Sequence, residues 1–364
     1  MRIAQVAPLA EAVPPKLYGG TERVVSWLTE ELVALGHEVT LFASGDSTTS
    51  ARLVPVVPRA LRLDPSVRDT VSPHILMVSR VLDLLDGFDV VHFHVDHYHL
   101  PGMRERGAPF VTTFHGRLDL PELQPLMDAF PRAPFVSISD AQRAPLRGVN
   151  WAATIHHGLP RDLLPFAPAP TAPGGGYLAF LGRISPEKGP DAAIRIARAA
   201  GVPLRIAAKV DKADAAYFAE VVKPMLDDPA GGVEFIGEIN EAQKGPFLGG
   251  ARALLTPIGW PEPFGLVMIE AMACGTPVVA YRNGSVPEVV EDGTTGFVVS
   301  GEAEAVAAVA RVPSLDRAGV RAGFERRFTA RRMAEDHVAL YERLVARWRP
   351  IGGRAAEAGS FAAA

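Results

Sequence analysis

The chain has 364 residues, 48% of them hydrophobic, and its 37 Lys and Arg residues nearly balance its 41 Asp and Glu residues, for a formal net charge of −4. This length exceeds what one compact domain of ordinary size needs and suffices for two domains that each bury a core. The balanced charge excludes the strong basic excess that marks nucleic-acid-binding proteins. We therefore expect a two-domain protein that does not bind nucleic acid.

The single cysteine and the N-terminal segment bear on the compartment. With only Cys274 present, no disulfide can form within the chain, which fits a reducing environment. Its setting in Ala-Met-Ala-Cys-Gly favours a small buried hydrophobe over a nucleophile. The first apolar stretch is too short for a signal peptide, and no stretch approaches the length of a transmembrane helix. These features predict a cytoplasmic protein.

Short apolar runs alternate with helical patterns in the first half of the chain. Residues 21–35 carry apolar residues at helical spacing, with Thr21 available as the cap and Gly36 as the end. Segment 51–68 holds four arginines but also three prolines. We expect it to be a solvated loop, and a weak peripheral contact with an anionic membrane is the alternative. The strands expected in this half are 2–7, 38–43, 89–93, 109–113, 135–138 and 153–156.

Segment 159–176 breaks this alternation with five prolines and three consecutive glycines at its end. Such a composition is typical of an interdomain linker. A last helix is expected at 329–348, followed by a Gly/Ala-rich tail at 349–364 that we expect to be mobile. Between the linker and that helix the alternation restarts, with strands expected at 177–181, 204–208, 233–236, 253–256, 277–280 and 296–299.

Two series of this kind predict an α/β fold with two Rossmann-like, doubly wound domains, each a parallel sheet covered by helices on both faces. Ligands of such sheets bind at the carboxyl ends of the strands, where the two domains can face one cleft. The expected division of the chain is an N-terminal domain at 1–165, a C-terminal domain at 175–328, the last helix and the tail.

The strongest chemical motif is Glu262-Pro-Phe-Gly-Leu-Val-Met-Ile-Glu270. A helix should begin near Phe264 or Gly265, and its unpaired N–H groups can hold a phosphate. Glu262 precedes this helix, and Glu270 lies about 8 Å along its axis. The anion site is thus flanked by carboxylates that can accept hydrogen bonds from sugar hydroxyls. This spacing suits a nucleoside diphosphate sugar, which has a sugar at each end of its diphosphate.

Three further motifs follow predicted strands. Arg183 and Lys188, in Gly182-Arg-Ile-Ser-Pro-Glu-Lys-Gly189, can neutralise a diphosphate leaving group, although an ordinary solvated loop explains the segment equally well. Gly19-Gly20, in Tyr18-Gly-Gly-Thr-Glu22, permits close approach of backbone to a ligand, or simply makes a tight turn. His115, in Thr-Phe-His-Gly, can contact a substrate hydroxyl, and a hydrogen-bonded core histidine is the alternative.

Together these motifs resemble the retaining glycosyltransferases of the GT-B fold, in the family-four group that contains sucrose synthases and bacterial mannosyl- and glucosyltransferases. The Glu-x7-Glu, Gly-Arg-x4-Lys-Gly and Thr-x-His-Gly elements carry the resemblance, which spans residues 2–348. It implies transfer of a hexose, UDP-glucose being the favoured donor, to a saccharide, lipid or small-molecule hydroxyl. It also implies retention of configuration without a metal or a cofactor other than the donor, and a last helix that packs on the first domain.

The resemblance implies a role for each motif residue. Arg183 and Lys188 would bind the donor phosphates, and Glu270 the ribose. Glu262 and the following backbone would hold the sugar and diphosphate, and His115 would contact the sugar. The catalytic residues so implied are His115, Arg183, Lys188 and Glu262. The donor-binding residues so implied are Gly19, Gly20, Arg183, Lys188, Glu262, Phe264, Gly265, Leu266 and Glu270.

Several features leave alternatives open. His156-His157-Gly158 stands where relatives carry Asn-Gly, and Lys209 ends a strand where a small residue is common. Histidines 92, 94, 97 and 99 surround Asp96, but strand alternation would point them to opposite faces, which disfavours a shared metal site. A sugar-nucleotide epimerase of the same fold and a non-catalytic sugar-nucleotide binder are the alternative functions. The paired glutamates and the complete cation set favour transfer.

Overall fold

The computed structural model describes residues 1–16, 19–229 and 231–348, so Tyr18 and the predicted mobile tail lie outside the described residues. None of the helices in these ranges combines the length and the apolar character that crossing a membrane would require. The described chain forms two separate β-sheets, one of seven strands and one of six, each covered by helices. The predicted α/β fold of two Rossmann-like domains is confirmed.

The N-terminal sheet is parallel throughout, in the order β3-β2-β1-β4-β5-β6-β7. Central strands buried on both faces read as apolar runs, as expected for parallel sheets. The first strand, Arg2–Val6, is buried from Ile3 onwards. The seven strands are β1 Arg2–Val6, β2 Glu38–Ser44, β3 Arg52–Val57, β4 Val90–Phe93, β5 Phe110–Thr113, β6 Phe135–Ser137 and β7 Trp151–Thr154.

Segment 51–68 corrects one expectation. Instead of a solvated loop throughout, it begins with strand β3, which pairs with β2 from Thr40↔Arg52 onwards. Pro55 is tolerated because β3 is an edge strand, and the register shifts beside it. The prolines of this segment are therefore compatible with an edge strand. Strand β7 also differs, since it begins two residues before the expected position 153.

The C-terminal sheet is also parallel, in the order β10-β9-β8-β11-β12-β13. This is the 3-2-1-4-5-6 order of the doubly wound dinucleotide-binding fold, in which the order reverses between the first and fourth strands and opens a crevice there. All six predicted strands are present. They are β8 Tyr177–Arg183, β9 Leu204–Lys209, β10 Val233–Gly237, β11 Ala251–Thr256, β12 Val278–Tyr281 and β13 Gly296–Val299.

The helices lie between the strands and cover both sheets. In the described ranges they are α1 Gly20–Ala34, α2 Val71–Asp83, α3 Leu100–Arg106, α4 Leu123–Ala129, α5 Asp140–Arg143, α6 Pro190–Ala200, α7 Ala215–Tyr217, α8 Lys223–Leu226, α9 Glu241–Gly249, α10 Leu266–Ala273, α11 Val286–Val289, α12 Glu302–Arg311, α13 Arg317–Arg327 and α14 Ala330–Arg347. Helix α10 is almost wholly buried in the C-terminal half, consistent with its apolar sequence.

The last helix, α14, returns to the N-terminal half, as the family resemblance implied. It packs against α1, and the Tyr341 hydroxyl accepts a hydrogen bond from Gln5 Nε2 at 3.2 Å. Its buried residues share one apolar cluster with residues of both sheets, among them Ile3 and Leu254. The helix therefore joins the two halves through buried apolar contact.

Between strands β7 and β8, the chain passes Gly158, which lies beside the start of α14. Leu159 forms a β-bridge with Thr329, and a Cβ on Gly158 would lie 2.2 Å from the Thr329 carbonyl oxygen. Gly158→Ala should therefore force the two segments of this bridge apart and lower the free energy of unfolding by about 2 kcal/mol. Thermal unfolding measures this. Gly87→Ala, where nothing lies within 4 Å, is the matched control and should leave the midpoint nearly unchanged.

Candidate functional site

A cleft of about 730 Å³ opens between the carboxyl ends of the two sheets and is lined by residues of both halves. Its volume falls in the range of small-molecule and cofactor sites. The cleft brings together every candidate site residue of the sequence analysis. These are Gly19, Gly20, His115, Arg183, Lys188, Glu262, Phe264, Gly265, Leu266 and Glu270. Their roles in binding and catalysis stay predictions.

The N-terminus of helix α10 forms part of the cleft wall. Gly265 is its N-cap, with φ 78°, and no side chain caps the helix. This left-handed conformation favours glycine, and a Cβ there would also meet Met268 Cε at 2.7 Å. The uncapped amides of the first turn, with the partial positive charge of the helix end, are suited to an anion.

Glu262 lies just before this helix and has two partners. Its carboxylate is ion-paired with the Lys188 ammonium and accepts a hydrogen bond from Trp260 Nε1 at 3.0 Å. Its carbonyl accepts from the Ser285 amide at 2.9 Å, and a Cβ on Gly284 would lie 2.4 Å from its backbone nitrogen. Both ends of the residue are therefore fixed. Trp260 was missed by the sequence analysis, because its loop position has no periodic or motif signal.

Glu270 begins a line of charges that crosses the cleft. Its carboxylate lies 2.6 Å from Lys244 Nζ, which lies 3.5 Å from the Glu241 carboxylate. Glu241 lies 2.5 Å from the Arg23 guanidinium of the N-terminal half. Lys244 was also missed. In the sequence it is marked only by its place four residues after the helix cap Asn240.

Arg183 follows strand β8 and faces carboxylates on its own side of the cleft. It lies 3.1 Å from Glu187 and 3.6 Å from Asp211. Lys209 lies 2.9 Å from the same Asp211 and also lines the cleft, so this departure from the family pattern places a further cation beside Arg183. This side of the cleft thus carries three cations, Arg183, Lys188 and Lys209, and the N-terminus of α10 also lines the cleft.

Two histidines, His115 and His157, line the N-terminal side of the cleft. His115 lines the cleft, stacks on His157 with ring centroids 5.1 Å apart, and places Nε2 2.8 Å from His94 Nδ1. Burial lowers the pKa of His115 to about 3, so the ring is neutral near pH 7. His156, by contrast, turns to Glu288 of the C-terminal half at 3.3 Å. His115 is thus both a cleft residue and a hydrogen-bonded one, so the two alternatives for it do not exclude each other.

Of the four histidines at 92–99, His92, His94 and His99 are buried and hydrogen-bonded. His97 is half-buried, and its Nδ1 has no hydrogen-bond partner among the described residues. His92 contacts the Tyr341 hydroxyl at 2.6 Å, and His99 contacts Thr112 at 2.6 Å. Throughout the three described ranges, no group of three or more His, Cys, Asp or Glu residues is arranged to hold a metal ion. These side chains connect strands β4 and β5 and helix α14 to one another. Cys274 is likewise buried, and burial raises the pKa of its thiol to about 12.

Buried neutral histidines predict a loss of stability in acid. Burial lowers the folded pKa of each, whereas the unfolded chain takes up protons below about pH 6.5. Their stabilisation is therefore present above pH 6.5 and is lost as the pH falls, by up to about 1.4 kcal/mol per histidine per pH unit. The urea midpoint should drop between pH 7 and 5.5. The residues are His92, His94, His99, His115, His157 and His337.

The control for this prediction is His337→Leu, which removes one such group. Its folded pKa is lowered to about 4, so the variant should show a smaller fall in the free energy of unfolding over the same interval. A urea midpoint that stays constant from pH 7 to 5.5 in the unmodified protein would contradict the expectation.

Two family models match overlapping parts of the chain. Residues 18–174 match the model described as Glycosyltransferase Family 4, and residues 167–316 match the model described as Glycosyl transferases group 1. Among curated proteins, a phosphatidyl-myo-inositol mannosyltransferase of Mycolicibacterium smegmatis is 28% identical, covering 91% of this chain and 89% of the relative. An alpha-maltose-1-phosphate synthase of the same organism is 26% identical, covering 94% and 100%.

Solved structures share the same architecture. AviGT4, a glycosyltransferase involved in avilamycin A biosynthesis, is 28% identical and superposes with a TM-score of 0.73 over 96% of this chain and all of that one. A sucrose-phosphate synthase from Thermosynechococcus elongatus is 21% identical, with a TM-score of 0.73 over 95% of this chain and 99% of that one, which shows the shared fold. Both likenesses cover nearly the whole chain and therefore extend over both sheets.

Proposed function

Because this chain belongs to the family-four-like glycosyltransferases of the GT-B fold, which use nucleotide-sugar donors, we propose that it is a retaining hexosyltransferase that needs no metal ion. The proposed donor is a nucleoside diphosphate hexose, UDP-glucose first, and the acceptor contributes a hydroxyl. The observation that carries this proposal is the uncapped N-terminus of α10, which lines the cleft with Lys188 and Arg183 and lies between Glu262 and Glu270.

The charges of the cleft match those of such a donor. The diphosphate would lie at the α10 N-terminus, with Lys188 and Arg183 as its counter-ions. Glu270 would accept hydrogen bonds from the ribose and Glu262 from the transferred sugar. In the structure Lys188 already pairs with Glu262, so the bound diphosphate would share this cation with the carboxylate. The sugar and the phosphate are thereby held against one another at the bond to be broken.

Transfer breaks the bond between the anomeric carbon and the diphosphate oxygen and forms a bond to the acceptor oxygen on the same face. Negative charge develops on the departing oxygen, and preorganised cations and amide dipoles aimed at that charge lower the barrier. Arg183, Lys188 and the α10 N-terminus supply them. The acceptor proton passes to the departing phosphate oxygen. No enzymic nucleophile is required in this scheme.

The donor sugar and the acceptor class are the finer parts of the proposal. The names of the relatives include a mannosyltransferase acting on phosphatidyl-myo-inositol and an alpha-maltose-1-phosphate synthase. They support GDP-mannose as the second donor to test, and acceptors that are saccharides, polyols or lipid-linked polyols. We place the reaction in the cytoplasm, with a weak membrane contact if the acceptor is a lipid.

Calorimetric titration tests the donor class. UDP, GDP, ADP and their hexose conjugates would be titrated into the protein in the presence of EDTA. The proposal expects tight binding of one nucleotide family without metal, with UDP and UDP-glucose first. Binding that appears only when Mg²⁺ or Mn²⁺ replaces EDTA would overturn the metal-free part, and binding of none of the nucleotides would overturn the assignment of the cleft.

Product stereochemistry tests retention. With an α-linked donor and a panel of sugar and polyol acceptors, ¹H NMR should show an α-linked product as the first species formed. A β-linked first product would mean a single inverting displacement and would exclude the same-face scheme. Release of free epimerised sugar nucleotide without transfer would instead identify an epimerase.

A further inference from the structure

A line of hydrogen bonds leads from the cleft into the interior of the N-terminal half. His115 Nε2 lies 2.8 Å from His94 Nδ1, and His94 Nε2 lies 2.8 Å from the side-chain oxygen of Gln5. Gln5 donates from its amide nitrogen to the Tyr341 hydroxyl at 3.2 Å. Gln5, His94 and Tyr341 are buried, so this line is shielded from solvent along most of its length.

With the Gln5 amide placed so that its oxygen faces His94 and its nitrogen faces Tyr341, each hydrogen bond of the line has one direction. An amide oxygen only accepts, so His94 must carry its proton on Nε2. A neutral imidazole has one N–H, so His94 Nδ1 accepts, and His115 must donate from its own Nε2. The lone pair of His115 is then on Nδ1, a buried atom with no hydrogen-bond partner among the described residues. The amide of Gln5 thus determines which nitrogen of His115 is free to accept.

The surroundings keep the line neutral. Burial lowers the pKa of His94 well below its usual value, and the nearby His92, His115 and His337 lower it further. Burial also lowers the pKa of His115, with His337 adding to the shift. A proton on His94 would make both of its nitrogens donors and reverse the bond to His115. The buried histidines therefore preserve one hydrogen-bond direction across the neutral pH range.

We propose that Gln5 and His94 are positioning residues that hold His115 as the Nε2–H tautomer, so that Nδ1 accepts a hydrogen bond from a hydroxyl of the transferred sugar. This inference rests on the proposed transferase function, since it gives the hydroxyl to the donor sugar in the cleft. The same positioning involves Tyr341 of α14, because its hydroxyl accepts a hydrogen bond from the Gln5 amide nitrogen and so orients Gln5.

The tautomer can be read without any substrate. Long-range ¹H–¹⁵N NMR correlations distinguish the two neutral tautomers of a histidine ring, and His115→Asn identifies the signals of His115 by their loss. We expect the Nε2–H tautomer in the unmodified protein and a mixture of both in Gln5→Leu. An Nδ1–H tautomer in the unmodified protein would overturn the inference and leave the proposed function intact.

Kinetics then separate positioning from packing. Gln5→Leu removes the accepting oxygen and should lower kcat about 10-fold, the worth of one well-formed hydrogen bond, while the KM for the donor changes little. Gln5→Glu keeps an accepting oxygen and should restore kcat at high pH. Its carboxylate should raise the pKa of His94, so activity should fall in acid at a higher pH than in the unmodified protein.

Two results would contradict this inference. One is an unchanged kcat in Gln5→Leu, and the other is a Gln5→Glu variant whose pH profile matches that of the unmodified enzyme. A merely structural role for Gln5 would lower the thermal midpoint of both variants without moving the acid limb. If no donor supports transfer at all, the proposed function fails, whereas the NMR measurement still decides the tautomer.

Discussion

Glu262→Ala should lower kcat by about 10²-fold or more while the protein stays folded. Removing a charged partner of a sugar hydroxyl costs about 3 kcal/mol at the upper end, which corresponds to about 10²-fold. The variant also releases Lys188 and Trp260 Nε1 from the carboxylate they share, so the cation proposed to face the leaving group loses its fixed position. Steady-state kinetics with saturating donor measure the loss, and circular dichroism with a thermal scan checks the fold.

The matched control is Glu302→Ala, which removes a carboxylate that is 43% exposed and pairs with Arg195 at 2.7 Å away from the cleft. This variant should keep both kcat and KM. A second variant, Glu262→Gln, retains the size of the side chain and part of its hydrogen bonding, so it should fall between Glu262→Ala and the unmodified enzyme. Unmodified activity in Glu262→Ala would remove this residue from the site.

Glu270→Ala should act on binding more than on turnover. The carboxylate is proposed to bind the ribose and not the bond that breaks, so its loss should weaken the binding of substrate and of transition state alike. We expect the Kd of the nucleotide to rise about 10- to 10²-fold, as for a hydrogen bond to a charged group, with kcat at saturation nearly unchanged. Calorimetry with the nucleoside diphosphate alone measures this, because the sugar is then absent.

Lys244→Met tests whether the partner of Glu270 matters in the same way. The ammonium lies 2.6 Å from the carboxylate, whose side chain is 3% exposed. Without Lys244 this buried carboxylate loses its nearest cation, so the variant should also bind nucleotide more weakly. The double variant Lys244→Met/Glu270→Ala should lose less stability than the sum of the losses in the two single variants. Strict additivity of the stability losses would show that the two side chains do not interact.

Some features followed from local sequence. The alternation of apolar runs and helical patterns predicted both sheets, because strands and helices differ in the period at which they bury side chains. The motifs followed predicted strands, and the carboxyl ends of parallel strands meet at one edge of a sheet. Residues as distant in sequence as Gly19, His115, Arg183 and Glu270 could therefore be assigned to one cleft, and all four line it.

Other features depended on pairings that no local pattern encodes. Strand β3 contains a proline, and only its place at the edge of the sheet makes that acceptable. Lys244 and Trp260 became candidates only when their partners Glu270 and Glu262 were seen beside them. Long side chains reach their partners according to how helices and loops pack, and that packing is a property of the whole core.

By itself, then, the sequence determined the fold class and the place of the cleft, because periodicity and strand-end position are local properties of a chain. The resemblance of its motifs to a known family named the ten candidate residues that line the cleft. Only the tertiary structure decided which charges are paired across the cleft and which nitrogen of His115 has no hydrogen-bond partner among the described residues. Those depend on contacts such as Gln5 with Tyr341, 336 residues apart, whose distance and direction are fixed when α14 packs against the first domain.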